Sequence, residues 1–188
     1  MEIPVSLVSP GMARQKPADD SKLGFGTNFS NHMFILEYGL NQGWHAPRIV
    51  PYGPFTLDPA AVVLHYGQEV FEGYKAYRHP GDKIALFRAH DNLKRMQRSC
   101  ERLCIPEFPE ELVYAGMKTL IQVDKDWVPS APGTSLYVRP TIIASEAFLG
   151  VRPAHEYIFY IITSPVGPYY QEGFNPVRIL VEDTYVRA

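Results

Sequence analysis

The chain has 188 residues, of which 46% are hydrophobic, enough apolar material for the core of one domain and a piece of another. It carries 18 basic and 20 acidic residues, a net charge of -2, so it has no basic field that would attract nucleic acid or an anionic membrane. The composition therefore favours a small molecule as the partner.

The N-terminal segment has no charged lead followed by an apolar run and a cleavage site, and the longest strongly apolar run, Tyr157 to Ile162, is too short to span a bilayer. We therefore expect a soluble, cytoplasmic protein. Residues up to about Leu23 are polar and interrupted by proline and glycine, which predicts an arm lying on the surface of the protein or on a partner.

The next segments predict strands. Met33 to Tyr38 and Pro47 to Tyr52 flank a connection rich in glycine and asparagine, as in a hairpin with a longer loop. From Phe71 to Tyr77 large apolar groups alternate with smaller or charged ones. Ile84 to Phe87 follows the turn at residues 79–82, so these two segments predict a meander.

Two helices are predicted after the meander. Asp91 can cap a helix that continues to Cys104 with apolar residues at helical spacing and basic residues mostly on the outer face. Pro106 ends this helix. Pro109 begins the second helix, whose apolar stripe continues to the turn at residues 124–129.

Two further strands, Leu136 to Ala144 and Tyr157 to Thr163, are rich in β-branched and aromatic residues. The second is nearly apolar throughout, as in a strand covered on both faces. Residues 164–168 look like a linker, and Val177 to Glu182 predicts a strand that has no partner within the chain.

These elements predict an α/β fold of the α+β kind, with an antiparallel-rich sheet and two helices, plus the first strand of a second domain. We expect a small N-terminal domain over residues 1–165, an interdomain linker over 166–176, and the start of a C-terminal domain over 177–188.

Several motifs of known chemistry are absent. The sequence has no GxxxxGK[ST] phosphate loop, and Gly24-Phe25-Gly26 lacks the third glycine and the preceding strand of a dinucleotide site. The six histidines show neither HExxH nor another paired ligand spacing. The sequence therefore predicts no nucleotide site of these kinds and no metal site.

Two arginines are candidates for anion binding. Arg88 follows two apolar strand residues, so it lies at a strand end, where a guanidinium can bind a phosphate with two parallel hydrogen bonds. The alternative is a surface ion pair. Arg139 shares a strand face with Tyr137, and if buried it needs a tyrosine oxygen or a substrate carboxylate as partner; the alternative is an arginine in water.

Three aromatic residues, Tyr66, Phe71 and Tyr169, are of the kind that lines an apolar pocket, although each can equally belong to a core. Spacing alone does not decide between these roles.

Longer motifs help to decide between a site role and a structural role for these residues. LHYGQEVFEGYKAY, LFRAHDNLKRM, VDKDWVP, GTSLYVRP, LGVRP and SPVGPYY occur in the order found in the branched-chain amino-acid aminotransferases, which the chain resembles over nearly its whole length as an N-terminal portion. The resemblance implies a fold-type IV, class IV enzyme dependent on pyridoxal 5'-phosphate. It also implies transamination between leucine, isoleucine or valine and 2-oxoglutarate by a homodimer.

Matched by position, Arg88 resembles the family's ligand for the cofactor phosphate, with Ala89 where the family often has proline. The resemblance implies that five residues shape the substrate pocket: Phe29, Phe71, Tyr137, Arg139 and Tyr169. Three more match positions that reach into the neighbouring subunit's site: Tyr66, Leu149 and Val151. A homodimer is therefore expected.

The resemblance implies that the family's Schiff-base lysine lies beyond Ala188, a short way after the YVRA that the chain matches at residues 185–188. No lysine of this chain follows the linker. No catalytic residue is therefore assigned, and the 188 residues alone are expected to be inactive.

Two alternatives remain. One is another fold-type IV enzyme, such as a D-amino-acid transaminase or aminodeoxychorismate lyase, and the other is a non-catalytic truncated dimerisation module. The long arm and VDKDWVP favour a branched-chain aminotransferase over the first alternative.

Overall fold

The computed structural model describes residues 3–169 and 175–185. The strands are β1 (His32–Gly39), β2 (Gly43–Pro51), β3 (Glu69–Phe71), β4 (Tyr74–His79), β5 (Lys83–Leu86), β6 (Ser135–Ala144) and β7 (Glu156–Val166). The helices are α1 (Val62–Tyr66), α2 (Ala89–Arg102) and α3 (Glu110–Val123). None of the described helices combines the length and apolar character needed to cross a membrane.

All seven strands form one sheet in the order β2-β1-β7-β6-β4-β5, with β3 also paired to β6. Every pairing between these strands is antiparallel. The predicted α/β fold with an antiparallel-rich sheet and two principal helices is confirmed, and the predicted hairpin is β1 with β2.

The sheet has two different faces. On β6, Leu136 and Val138 are fully buried in the core with residues of α2 and α3, while Tyr137 and Arg139 on the opposite face are only half-buried. β7 alternates in the same way. The expectation that β7 is covered on both faces is therefore wrong for the described residues, because both principal helices contribute to the core on one face only.

The predicted strand from Phe71 to Tyr77 is two strands. The regular strand is interrupted at Glu72 and Gly73, between β3 and β4, although the Glu72 N–H still donates to the Pro140 carbonyl of β6 at 2.9 Å. The Glu72 side chain is buried, where it accepts hydrogen bonds from the Gly73 N–H at 3.0 Å and from Arg95 Nε at 2.6 Å, and forms an ion pair with the Arg95 guanidinium. This carboxylate therefore ties the strand break to helix α2.

The start of α2 differs from the prediction. The residue at the N-cap position is Arg88, in the left-handed region at φ 53° and ψ 38°, whereas Asp91 lies in the first helical turn. The Asp91 carboxylate is still stabilised by the positive end of the helix dipole. The sharp turn of the chain out of β5 occurs at Arg88. The sequence pattern could not reveal this, because non-glycine residues rarely adopt that conformation.

Helix α1 was not predicted. It has only five residues, too few to establish a helical period, and it ends at Gly67 in the left-handed conformation at φ 60°. The glycine was the one local signal of this helix end.

The end of the predicted small domain also differs. β7 continues to Val166, which pairs with Ser135, so residues 164–166 are strand and not linker. Residues 177–182, predicted as a strand, form no strand and are exposed, because the described residues offer them no neighbouring strand.

The division into domains stays a prediction. Part of the expected linker, residues 170–174, and the last residues of the expected C-terminal domain, up to Ala188, lie outside the described residues. The expected position of the Schiff-base lysine, beyond Ala188, therefore stays a prediction as well.

The N-terminal arm lies along the domain, as expected. Ile49 N–H donates to the Pro4 carbonyl at 2.8 Å, and Ser6 N–H donates to the Ile49 carbonyl at 2.9 Å. Val8 N–H donates to Nε2 of His32 at 2.9 Å. The other ring nitrogen, Nδ1, lies 2.7 Å from Asp124 Oδ1, so this buried histidine links the arm to the end of α3.

The Glu72–Arg95 pair generates a stability prediction. Arg95→Met leaves a buried carboxylate without its cation, which we expect to lower the free energy of unfolding by about 1–3 kcal/mol, less than for a fully buried pair because the guanidinium is largely exposed. Arg98→Met, an exposed arginine on the same helix, is the matched control and is expected to change it by less than about 0.5 kcal/mol. Urea denaturation measures both, and equal effects would refute the prediction.

Candidate functional site

The open face of the sheet carries an aromatic cluster around Arg139. The Arg139 Nε and Nη2 atoms donate to the Tyr137 hydroxyl oxygen at 3.2 and 2.7 Å. The guanidinium carbon lies 4.4 Å from the centre of the Phe71 ring, which is 61% exposed. The Tyr137 hydroxyl is thus a partner of this half-buried arginine, one of the alternatives that the sequence left open, and a cation–π contact with Phe71 supplements it.

Gly73 makes room for this cluster. A Cβ atom at this position would overlap the Tyr137 hydroxyl and lie 2.7 Å from Cζ of the same ring. The absence of a side chain at Gly73, next to the ion-paired Glu72, therefore lets the Tyr137 hydroxyl stay within reach of Arg139.

Three aromatic residues lie in the arm or directly after β7. Phe29 and Tyr169 are candidate pocket residues, and Phe25 is not. Phe25 has its ring centre 5.1 Å from that of Tyr137 and 5.3 Å from that of Tyr169. Phe29 instead stacks on Tyr52 at 5.3 Å. The structure thus joins Tyr169 to Tyr137 through Phe25, a residue that sequence reasoning did not single out because its neighbours are more than a hundred positions away.

Arg88 lies at the start of α2 with 68% of its side chain exposed, and its Nε is 2.5 Å from Oδ2 of Asp91. The first turn of α2 has no side-chain cap at its N-cap position. A guanidinium beside uncapped helix amides is a donor set that suits a phosphate. Within the described residues, no hydrogen bond, ion pair or ring contact joins Arg88 to the cluster of Phe71, Tyr137 and Arg139.

A cleft of about 550 Å³ is lined by Phe87, the residue before Arg88, but not by Arg88 itself. It opens between the β4–β5 hairpin, including Phe87, and the loop at residues 130–134. A Cβ on Gly133 of that loop would lie 3.6 Å from the ring of Pro168, which directly precedes Tyr169. The loop that lines one side of the cleft therefore lies near the chain segment that carries Tyr169.

The three residues matched to the neighbouring subunit's site form a separate surface. The Tyr66 hydroxyl donates to the Leu149 carbonyl, and Tyr66 and Leu149 are 49% and 59% exposed. Val151, two residues further along the same loop, is 91% exposed. Tyr66 therefore contacts the loop that carries Leu149 and Val151, and all three side chains are exposed.

The loop over residues 145–155 that carries Leu149 and Val151 is held by Glu146. Its carboxylate is 2.7 Å from Arg152 Nη2 and accepts the His155 N–H at 2.7 Å. Arg152 also lies over the Phe148 ring at 3.9 Å. The hydrogen bond from Arg152 and the one from His155 hold the pKa of Glu146 below its ordinary value of 4.5 against the opposing effect of partial burial.

One group of possible metal ligands occurs among the described residues. His90, Glu110 and Glu111 bring one ligand atom each within 4.8 Å of one another. His90 Nδ1 lies 2.9 Å from Glu110 Oε1, and its ring stacks on Tyr114 at 4.2 Å, which accounts for its position without an ion. The predicted absence of a metal site stays a prediction.

No protein-family model matches the chain. Among curated proteins, it is 54% identical over 175 residues to branched-chain-amino-acid aminotransferase 2 of Bacillus subtilis strain 168, covering 93% of this chain and 48% of that protein. It is 49% identical over 166 residues to the branched-chain-amino-acid aminotransferase of Mycolicibacterium smegmatis, covering 88% and 45%. The chain thus spans about half the length of the curated relatives it matches.

Two solved structures are similar. The branched-chain aminotransferase of Thermoproteus uzoniensis with norvaline gives a TM-score of 0.58 at 21% identity, covering 74% of this chain and 43% of that one. The branched-chain amino acid aminotransferase of Escherichia coli gives 0.51 at 22%, covering 72% and 41%. The fold-type IV fold and the resemblance of this chain to an N-terminal portion of these aminotransferases are confirmed.

The Glu146 contacts predict a pH dependence of the loop. Because folding lowers the pKa of this carboxyl, its stabilising contribution is complete above the ordinary value of 4.5 and is lost as the pH falls through the lowered value. We therefore expect the hydrogen-exchange protection factor of the His155 amide to fall below pH 4.5.

Glu146→Gln should remove most of that pH dependence, whereas Glu101→Gln, at an exposed position on α2, should leave it unchanged. Hydrogen exchange measured between about pH 3 and 6 checks this prediction. A wild-type protection factor that stays constant over this range would contradict it.

Proposed function

We propose that these residues form the N-terminal part of a branched-chain-amino-acid aminotransferase, which transfers the amino group of leucine, isoleucine or valine to 2-oxoglutarate with pyridoxal 5'-phosphate. In this proposal residues 1–166, up to the end of β7, are the small domain, 167–176 the interdomain linker and 177–188 the start of the cofactor-binding domain, with the Schiff-base lysine beyond Ala188. The protein acts as a cytoplasmic homodimer.

The observation that carries the proposal is the cluster of Phe71, Tyr137 and Arg139 on the open face of a chain that is 54% identical to a Bacillus subtilis protein named as such an aminotransferase. The cluster joins an apolar ring surface to a cation. An enzyme that accepts both an aliphatic amino acid and a dicarboxylic oxo acid needs both at one place.

Arg139 supplies the polar part of this pocket. A guanidinium has five N–H donors, and two of them go to the Tyr137 hydroxyl. The remaining donors can bind a substrate carboxylate, while the rings of Phe71 and Tyr137 offer contact area to an aliphatic side chain. Tyr169 extends the apolar wall in this proposal through its ring contact with Phe25, whereas Phe29, whose ring stacks on Tyr52, is assigned to the pocket only by the resemblance.

Arg88 is proposed to hold the phosphate of the cofactor. Its exposed guanidinium and the uncapped amides of α2 supply positive charge and hydrogen-bond donors directly after Phe87, which lines the 550 Å³ cleft. Asp91 orients the guanidinium from the first helical turn. When bound, pyridoxal 5'-phosphate supplies an electron sink for the chemistry at the substrate amino group.

The surface of Tyr66, Leu149 and Val151 is proposed to complete the pocket of a second subunit. Exposed apolar side chains on an ordered loop suit a contact with another protein surface. The Glu146–Arg152 pair then fixes the loop that delivers two of them.

A binding experiment tests the role of Arg88. In the product of the natural reading frame that encodes these residues, Arg88→Met should weaken the binding of pyridoxal 5'-phosphate about 10–100-fold, because a bidentate charge-assisted contact with the phosphate is lost. Pyridoxal, which lacks the phosphate, should bind the variant and the wild type equally. Equilibrium dialysis with absorbance detection measures both affinities.

The control for that experiment is Arg98→Met, which removes the same charge from an exposed position on α2 and should leave both affinities unchanged. The assignment would be wrong if Arg88→Met bound pyridoxal 5'-phosphate as tightly as the wild type.

An activity assay tests the reaction. The natural gene product should transaminate leucine with 2-oxoglutarate at least about 100-fold faster than D-alanine. A substrate of the opposite configuration would place its amino group wrongly in the same pocket. The 188-residue polypeptide should show no turnover, and borohydride reduction in the presence of the cofactor should label no specific lysine in it.

A preference for D-alanine would favour another fold-type IV enzyme, and absence of all transamination by the natural product would favour a non-catalytic module. Turnover by the 188-residue polypeptide would refute the expectation that it is inactive alone.

A further inference from the structure

The buried carboxylate of Glu72 joins the strand break to helix α2. Its side chain is only 8% exposed. Oε1 accepts the Gly73 N–H at 3.0 Å, Oε2 accepts Arg95 Nε at 2.6 Å, and Arg95 Nη2 also donates to Oε1. The two parallel hydrogen bonds from the guanidinium have the bidentate geometry of a strong charge-assisted pair. The same carboxylate therefore holds the backbone at Gly73 and the side chain of Arg95.

The backbone at the strand break is also held by β6. The Glu72 N–H donates to the carbonyl of Pro140, the residue directly after Arg139, at 2.9 Å. The preceding residue, Phe71, pairs with Thr141 of the same strand. The peptide between Glu72 and Gly73 is thus located by β6 on one side and by α2 on the other.

The residues on either side of Glu72 set the position of the Arg139 guanidinium. Phe71 places its ring 4.4 Å from the guanidinium carbon. Gly73 packs so closely on Tyr137 that a Cβ atom would overlap the hydroxyl that accepts both hydrogen bonds from Arg139. A shift of the backbone at the strand break therefore displaces both partners of the guanidinium.

The Glu72–Arg95 pair itself does not touch the guanidinium. Among the described residues, neither side chain forms a hydrogen bond or an ion pair with Tyr137 or Arg139. Arg95 belongs to α2 and its side chain is 60% exposed. Any effect of the pair on Arg139 therefore passes through the backbone at the strand break.

We propose that the Glu72–Arg95 pair positions the site: it holds the strand break so that the Arg139 guanidinium is directed at a carboxylate of the dicarboxylic substrate. The inference rests on the proposed aminotransferase function. An aliphatic monocarboxylate presents no second carboxylate to the guanidinium, so its binding depends less on where the guanidinium points. The pair thus supports the binding of the dicarboxylic substrate more than that of the aliphatic one.

The test compares two substrate-shaped acids in the natural gene product by calorimetry. Glutarate carries two carboxylates, and 4-methylvaleric acid is a leucine-shaped monocarboxylate. The double variant Glu72→Gln/Arg95→Met replaces the pair by neutral side chains of similar volume, so it leaves no buried charge without a partner. Its affinity for glutarate should fall about 10-fold, because the charge-assisted contact with Arg139 is misaligned, and its affinity for 4-methylvaleric acid should change less than about 2-fold.

Kinetics of the same double variant supply a second readout. The KM for 2-oxoglutarate should rise about 10-fold, whereas the KM for leucine should change less than about 2-fold. Arg95→Lys keeps the charge and one donor, so it should restore most of the affinity for glutarate relative to Arg95→Met.

Two further variants serve as controls. Arg98→Met removes an exposed arginine from the same helix and should leave both affinities unchanged. Gly73→Ala pushes directly on the Tyr137 hydroxyl while the ion pair stays intact, so it should weaken glutarate at least as much as the double variant does.

The outcomes separate the inference from the function on which it rests. If the wild type neither transaminates leucine nor binds either acid, both the proposed function and the inference are wrong. If the wild type does so but Glu72→Gln/Arg95→Met binds both acids like the wild type, or loses affinity for both equally, the function stands and the positioning role is refuted.

Discussion

The antiparallel pairing of β6 with β7 is the constraint on which the rest of the structure depends. Ten consecutive residues of β6 pair with β7 in one register without interruption. Because side chains alternate along a strand, this register decides at once that Val138 is buried in the core and that Tyr137 and Arg139 face the open side. β3 and β4 pair with β6, and β1 pairs with β7, so Phe71 is brought beside Arg139 by the same sheet.

Most of the fold could be predicted from the sequence because its longer elements repeat their pattern often enough to be recognised. The features that could not be predicted from the sequence are short or involve contacts between distant residues. Helix α1 has five residues, and the carboxylate of Glu72 at the strand break pairs with Arg95, more than twenty positions away on another element. The left-handed Arg88 replaces the cap expected at Asp91, which no propensity for helix starts would indicate.

Only part of the candidate site could be predicted from the residues themselves. The two-residue spacing sufficed to place Tyr137 and Arg139 on one strand face, where the tyrosine oxygen was one possible hydrogen-bond partner of the arginine. The group of Tyr66, Leu149 and Val151 came only from the family resemblance, because isolated apolar residues in loops carry no physical signal until their exposure is known. Phe25 was missed since nothing local distinguishes an arm phenylalanine that packs on the sheet from one that does not.

The attachment of the arm has a consequence for how the molecule is made. Ser30 and Thr163, which hold the segment after Phe25, are separated by 133 positions. At about 5–20 residues per second on the ribosome, the arm emerges roughly 7–27 s before its anchor exists. During that interval the segment after Phe25 lacks its partner on β7, and closing so long a loop adds an entropic cost that only the completed sheet can offset. The packing of Phe25 on Tyr137 and Tyr169 is therefore among the last contacts of the nascent polypeptide to form, although Phe25 is among the first residues to be synthesised.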